Sequence, residues 1–321
     1  MKRFLPAAKV LLSAGALTAI FMRIDVRDAA ATLANADPAW VGLALLVNLV
    51  AVALSSLLWR SVIVGGDKPR IGNLLRAYLG GLFYNNLGFG TAPGDASRIA
   101  ALAAANGPGR AAVSVLAERV LSLVALLALA SGGAALLFSD RPVLATGIWV
   151  VVAAGIAALG ILAYAVPHAV RRFRGLSRLT VLLEGTNDAA LALLHDPRRL
   201  GRGLFVAIGV QSCTVVAAMC TTAAVGAPLP PITAFAVVPL IALLVLMPVS
   251  VQGIGVREST YVYFLAFAAI DAEHALGAAF LSYCTTLIVS LAGGGVLVAE
   301  AVASRRRQAR TESDSGLRVA A

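Results

Sequence analysis

Two short segments hold the residues of this chain whose types and spacing could do chemistry. In the first, Asn85, Gly90, Pro93, Gly94, Asp95 and Arg98 close an apolar run long enough to enter a bilayer. In the second, Pro248, Gln252, Gly253, Gly255, Arg257 and Glu258 follow another apolar run in the C-terminal half. Charge at membrane depth is expensive unless it faces protein or a water-filled cavity, so each such residue is a functional-site hypothesis. A helix restarting after Pro93 or Gly255 turns free backbone N–H groups and a positive dipole end toward the break, and both favour an anion. Arg98 and Arg257, within a turn of those restarts, would add paired donors to a phosphate. Asp95 and Glu258 would then hold the guanidiniums while the site is empty. The competing reading is structural: Asp95 with Arg98, and Arg257 with Glu258, neutralise one another so that irregular backbone can sit in the membrane. Glu118 and Arg119, inside the next apolar run, form a similar pair, for which structural pairing stands beside substrate binding.

Other chemistries find little support. The glycines around Gly90 and Gly253 superficially suggest phosphate-binding loops, but no strand pattern precedes them and no Gly-Lys-Ser/Thr follows. His168, His195 and His274 are scattered without ligand spacing, and Cys213, Cys220 and Cys284 fall inside apolar runs as buried small residues. No Asp-x-Asp occurs. Neither a metal nor a cofactor is expected, and no catalytic residue is assigned.

The elements that must position these segments are membrane helices. Of the residues 60% are hydrophobic and 13% charged, and the mean hydropathy is +0.88. Soluble domains sit at roughly 45–50% apolar and roughly 25% charged, so the chain reads as an all-α polytopic membrane protein. Apolar runs lie at about 5–22, 39–59, 71–92, 112–138, 143–166, 203–225, 231–249, 254–270 and 275–299. Trp40 and Trp59 bracket the second as interfacial anchors.

Charge gives an orientation. The net +10 is concentrated at Lys2, Arg3 and Lys9, at Arg60 to Arg76, at Arg171 to Arg202, and at Arg305 to Arg310. By the positive-inside rule these four regions are cytoplasmic, and so are both termini. Each cluster abuts a span, which favours anionic inner-leaflet lipid over nucleic acid as its partner. An even number of crossings must then separate residues 60–70 from 167–202. The runs 112–138 and 143–166 supply two, so 71–106 forms a hairpin entering from the cytoplasm, with the break from Gly90 to Asp95 near its tip. The same count pairs 231–249 with 254–270 in a hairpin entering from outside, with Pro248 to Glu258 between its arms. The expectation is about eight spans including two broken or re-entrant hairpins. Opposed hairpins in corresponding halves suit an inverted repeat, although no residue-level repeat accompanies them. Residues 1–304 read as one transmembrane domain and 305–321 as a disordered cytoplasmic basic tail. Leucines recurring from Leu176 to Leu194 predict a helix lying on the inner leaflet or packed on the spans.

The stretch from Tyr78 to Arg119, with Asn85, Pro93-Gly94-Asp95, Arg98 and Glu118-Arg119, followed by Pro248 and Gly253-Ile254-Gly255-Val256-Arg257-Glu258, resembles the transmembrane region of lysylphosphatidylglycerol synthases, the flippase-like YbhN-type family. The resemblance covers nearly the whole chain. It implies a bacterial or archaeal bundle of about eight spans in the cell membrane, joined in some members to a cytoplasmic aminoacyl transferase. This chain ends soon after its last span, so a lysyl-transfer activity is not expected of it. For the membrane part, the resemblance implies movement of a phosphate-bearing lipid between leaflets. The alternative is a membrane enzyme or accessory subunit of lipid-linked glycan or aminoacyl-lipid synthesis, and a separate lipid-modifying enzyme is the expected protein partner.

Overall fold

In a computed structural model the described residues are 31–65, 68–87, 92–137, 186–246 and 253–319, with positions 146, 149, 150 and 153. The apolar runs 5–22 and 143–166 therefore lie outside them or nearly so, as do Gly90, Pro248, Gln252 and most of the basic loop before 186. The described residues are helical, in the order α1 (Pro38–Val62), α2 (Ile71–Leu87), α3 (Ala92–Asn106), α4 (Pro108–Leu137), α5 (Thr186–Leu194), α6 (Pro197–Ala224), α7 (Pro231–Val245), α8 (Val256–Leu265) and α9 (Ala272–Val319). A 3-10 turn, Ala266–Ala268, follows α8.

Four of these helices are long and apolar enough to cross a membrane: α1, α4 over Pro108–Gly133, α6, and α9 over Ala272–Ala299. Their starts are written in the sequence. Asp37 before Pro38 accepts the Ala39 N–H at 2.8 Å, and Asp196 before Pro197 accepts the Arg199 N–H at 3.0 Å. An acceptor at the cap with proline in the first turn satisfies an orphan donor and fixes the helical φ in advance. Gly107, at φ +80°, ends α3, and Pro108 opens α4. The last helix, α9, is the longest of the described elements, with 48 residues.

The ends of the helices define two opposed hairpins. The Asp37 N–H donates to the Ala224 carbonyl at 2.8 Å, and Asp37, Gly226 and His274 line one cleft. The start of α1, the end of α6 and the start of α9 thus share one end of the bundle. At the other end Asn106 Nδ2 donates to the Gly65 carbonyl at 2.8 Å, which joins the end of α3 to the loop after α1. Helices α2 and α3 therefore leave from and return to the end opposite the cleft, while α7 and α8 do so at the cleft end. At about 1.5 Å per residue, the 17 residues of α2 and 15 of α3 reach about 26 and 22 Å, short of a hydrocarbon core of about 30 Å.

Each hairpin is packed into its own core. Around α7 and α8, Val237, Ile241, Phe264 and Leu265 meet Leu126 and Ala130 of α4 and Ala275 and Ala278 of α9. Around α2 and α3, Leu74 and Leu102 meet Leu58, Trp59 and Val62 of α1 and Val115 of α4. Leu193 of α5 and Ala207 of α6 join this second core. So α5 packs on the bundle, although Leu191 and Leu194 stay exposed.

The grip on α2 is backbone against backbone. A Cβ at Gly293 would run into the Leu79 carbonyl, and one at Gly94 into the Gly81 carbonyl and Asn85 Oδ1. The Ser290 hydroxyl donates to the Leu82 carbonyl at 3.1 Å. Without a hydrophobic drive between helices in lipid, such close approach through small residues is how membrane helices associate.

Candidate functional site

Two charged pairs that are neighbours in sequence are exchanged in space. Arg98, on α3, is 2% exposed and places Nη2 2.9 Å from Oε2 of Glu118, on α4 and also 2% exposed. Arg119 places Nη2 2.8 Å from Oδ1 of Asp95. A longer contact of 3.6 Å joins Arg98 Nη1 to the same Asp95 oxygen. The four residues form one chain, Glu118–Arg98–Asp95–Arg119, with two positive and two negative charges. Its two halves differ in access. Arg98 and Glu118 are sealed, whereas the side chains of Arg119 and Asp95 are 38% and 24% exposed.

The sealed half has further support that charge patterning did not reveal. The Arg98 guanidinium lies 4.4 Å from the ring centroids of both Trp59 and Tyr78, an arrangement that attracts a cation to two aromatic faces. Trp59 Nε1 donates to Ser114 Oγ at 3.0 Å. Tyr78 and Ser122 hydroxyls stand 3.5 Å from Glu118 Oε1. Trp59 is thus no interfacial anchor: it is fully buried, while Trp40 at the other end of α1 is 42% exposed. A buried cation needs compensation that an interfacial indole would not supply, and Trp59 is spent on it.

Donors outnumber the acceptors offered to them. Among the described residues, Nε of Arg98 and Nε of Arg119 are buried and have no acceptor. A buried N–H without an acceptor costs about 1–3 kcal/mol, which makes the edge of this cluster fit for an anion.

The helix N-termini carry acceptors of their own. Helix α3 begins at Ala92, so Pro93, Gly94 and Asp95 sit in its first turn rather than in the break. Proline and an acid are favoured there. The Gly94 N–H donates to Asn85 Oδ1 at 2.9 Å. In the second hairpin, Gly253 and Gly255 take φ +78° and +84°, a conformation that suits glycine. Helix α8 restarts at Val256, as the sequence indicates, but the Gly255 N–H donates to Glu258 Oε2 at 2.6 Å. Glu258 is therefore the cap of its own helix. Arg257 lies with its guanidinium 4.8 Å from the Tyr283 ring centroid on α9.

The structure thus brings Asn85, Gly94, Asp95, Arg98, Glu118 and Arg119 into one cluster. Gly253, Gly255, Arg257 and Glu258 form another, within the second hairpin and against α9. Sequence reasoning missed Trp59 and Tyr78 in the first. Their signal was an aromatic near the inner end of α1 and another early in α2, both within reach of a cation that had to be buried.

The chain matches the family described as the lysylphosphatidylglycerol synthase TM region over residues 7–294. It is 25% identical to glycosyltransferase AglD of Haloferax volcanii over 91% of its own length. It spans about half, 54%, of that protein. No solved structure matches it. The four spans and this family match make the chain a multi-pass membrane protein that belongs to the lysylphosphatidylglycerol synthase transmembrane-region family.

Proposed function

We propose that this protein moves a phosphate-bearing lipid between the leaflets of the cell membrane without a chemical step, and that Arg119 with Asp95 is where the headgroup is engaged. The observation that carries this is the asymmetry in access of the charged chain: one half is sealed against aromatic rings, while the Arg119 and Asp95 side chains of the other are only half-buried. In the empty protein Asp95 occupies Arg119. A phosphate would replace it, and Asp95 would stay compensated by Arg98, 3.6 Å away. A planar guanidinium can donate to two phosphate oxygens at once, which an ammonium cannot.

The end of the bundle that carries Arg60, Lys68, Arg70 and Arg110 is the cytoplasmic one on this reading. The exposed apolar faces of α1 and α6, with Leu46, Leu49 and Phe205, meet lipid tails. The two opposed hairpins support an alternating-access arrangement of the inverted-repeat kind.

A second reading makes the chain a membrane enzyme or accessory subunit of lipid-linked glycan synthesis. Its support is the likeness to a protein named as a glycosyltransferase. Reconstitution of the purified protein into liposomes separates the two. Transport predicts movement of a labelled phospholipid without any added enzyme or sugar donor. The second reading predicts none under those conditions.

A further inference from the structure

Three polar side chains lie on one line along α1. Asp37, Asn48 and Trp59 are each eleven residues apart, about three turns and about 16 Å at each step, so they share one face of the helix. Each marks a distinct place. Asp37 lines a cleft of about 630 Å³ together with Thr32, Asn35 and His274. Asn48 Nδ2 donates to Thr285 Oγ1 of α9 at 3.3 Å. Trp59 covers Arg98 at the charged cluster.

Helix α9 keeps the same step. His274, at the cleft, and Thr285, bonded to Asn48, are also eleven residues apart, so α1 and α9 run parallel and in register. On the lipid-facing sides of these two helices, away from the seam, Leu46 on α1 and Phe280 on α9 are exposed. The inner half of the seam is walled by α2, through the Ser290 to Leu82 hydrogen bond.

We infer that the seam between α1 and α9 is the headgroup path. The headgroup of a phosphate-bearing lipid lies in the cleft beside Asn35 and His274 at one limit of travel. It passes between Asn48 and Thr285 toward the end of the seam where Trp59 covers the charged cluster, while its chains stay in the bilayer. The His274 ring is set for this by Asp271, whose carboxylate oxygens lie 2.7 and 2.8 Å from Nδ1 and leave Nε2 for a ligand. The Asn48–Thr285 bond is long, 3.3 Å, and lies between neutral partners, so it is a weak closure of the seam. Two such side chains offer a passing phosphate the donors that hydrocarbon lacks.

This inference rests on the transport reading, and its test tells the two apart. In protein carrying Cys213→Ala, Cys220→Ala and Cys284→Ala, Asn48→Cys is exposed to a membrane-impermeant thiol reagent in proteoliposomes. Leu46→Cys, on the lipid side of the same helix, is the control. Asn48→Cys is expected to react and Leu46→Cys to stay inert. Joining Asn48→Cys to Thr285→Cys with a cleavable bifunctional thiol reagent is expected to abolish movement of a fluorescent phosphatidylglycerol, with recovery on cleavage. An inert Asn48→Cys in protein that moves lipid overturns the path and leaves the transport reading standing. So does a joined seam that moves lipid undiminished. A reactive Asn48→Cys in protein that moves no lipid refutes transport and overturns the path with it.

Discussion

Glu118→Gln is the perturbation whose cost can be worked most closely from the structure. The parent cluster is neutral: Arg98 and Arg119 balance Glu118 and Asp95. Removing the Glu118 charge leaves two guanidiniums sharing Asp95, whose nearer bond, 2.8 Å against 3.6 Å, belongs to Arg119. Arg98 is then a buried cation without a close counter-charge. Breaking a buried pair from one side costs about 3–5 kcal/mol. The amide oxygen of glutamine still accepts one bond, which puts the loss near the lower figure. Replacing both partners, Arg98→Met with Glu118→Gln, removes one charge of each sign and leaves Asp95–Arg119 neutral. It forfeits the two aromatic contacts of the guanidinium, about 0.5–2 kcal/mol each. The double variant should therefore fall between the parent and Glu118→Gln in stability. Unfolding of the purified protein in mixed detergent micelles at neutral pH reads that order. A Glu118→Gln protein as stable as the parent would refute the buried ion pair, and a double variant weaker than Glu118→Gln would show that aromatic stacking outweighs it.

Two further outcomes follow from local geometry. Gly94→Ala and Gly293→Ala place a Cβ against backbone carbonyls, so each should lose about 1–3 kcal/mol or more by overpacking. Gly42→Ala, with nothing within 4 Å, should gain about 0.5–1 kcal/mol. Thermal unfolding in detergent compares them. The Asp271 carboxyl is held below the ordinary carboxylate range, chiefly because the His274 backbone N–H donates to it. Its cap therefore contributes above about pH 4, the ordinary value, and fades as pH falls through the lower folded value. Asp271→Ala should cost about 0.5 kcal/mol at pH near 7, the low end for a cap because the carboxylate is largely exposed. The difference from the parent should vanish in acid, while Asp271→Asn keeps the cap and shows no such pH dependence.

Much of this arrangement is legible in the chain because membrane helices announce themselves by length and hydropathy. The runs at 39–59, 112–138, 203–225 and 275–299 are the helices α1, α4, α6 and α9. Gly107-Pro108 and Gly255 end and start helices as their backbone chemistry demands. The expected eight crossings are not all seen: four described helices are long and apolar enough, and the arms of both hairpins are too short. What sequence could not supply is the partner of each charge. Adjacent opposite charges, Glu118 with Arg119, invite pairing along the chain. On a helix, however, consecutive residues point about 100° apart and cannot face each other. Their partners had to come from another helix, and Asp95 and Arg98, one turn apart, provide both. Trp59 misled for a similar reason, since an indole at the end of a span fits an interface by composition and is assigned to a buried cation only by packing.

The central claim is that the exposed Arg119 end of the cluster engages a phosphate headgroup during transport. Its most direct test is the rate at which a fluorescent phosphatidylglycerol becomes accessible to a membrane-impermeant quencher in proteoliposomes of the parent protein, Arg119→Lys and Arg119→Ala. The parent should accelerate the movement, and both variants should lose it while keeping the parent's thermal stability to within about 1 kcal/mol, the scale of a partly exposed ion pair. Arg119→Lys fails for want of the planar fork. Undiminished movement in Arg119→Ala, or none in the parent, would contradict the account.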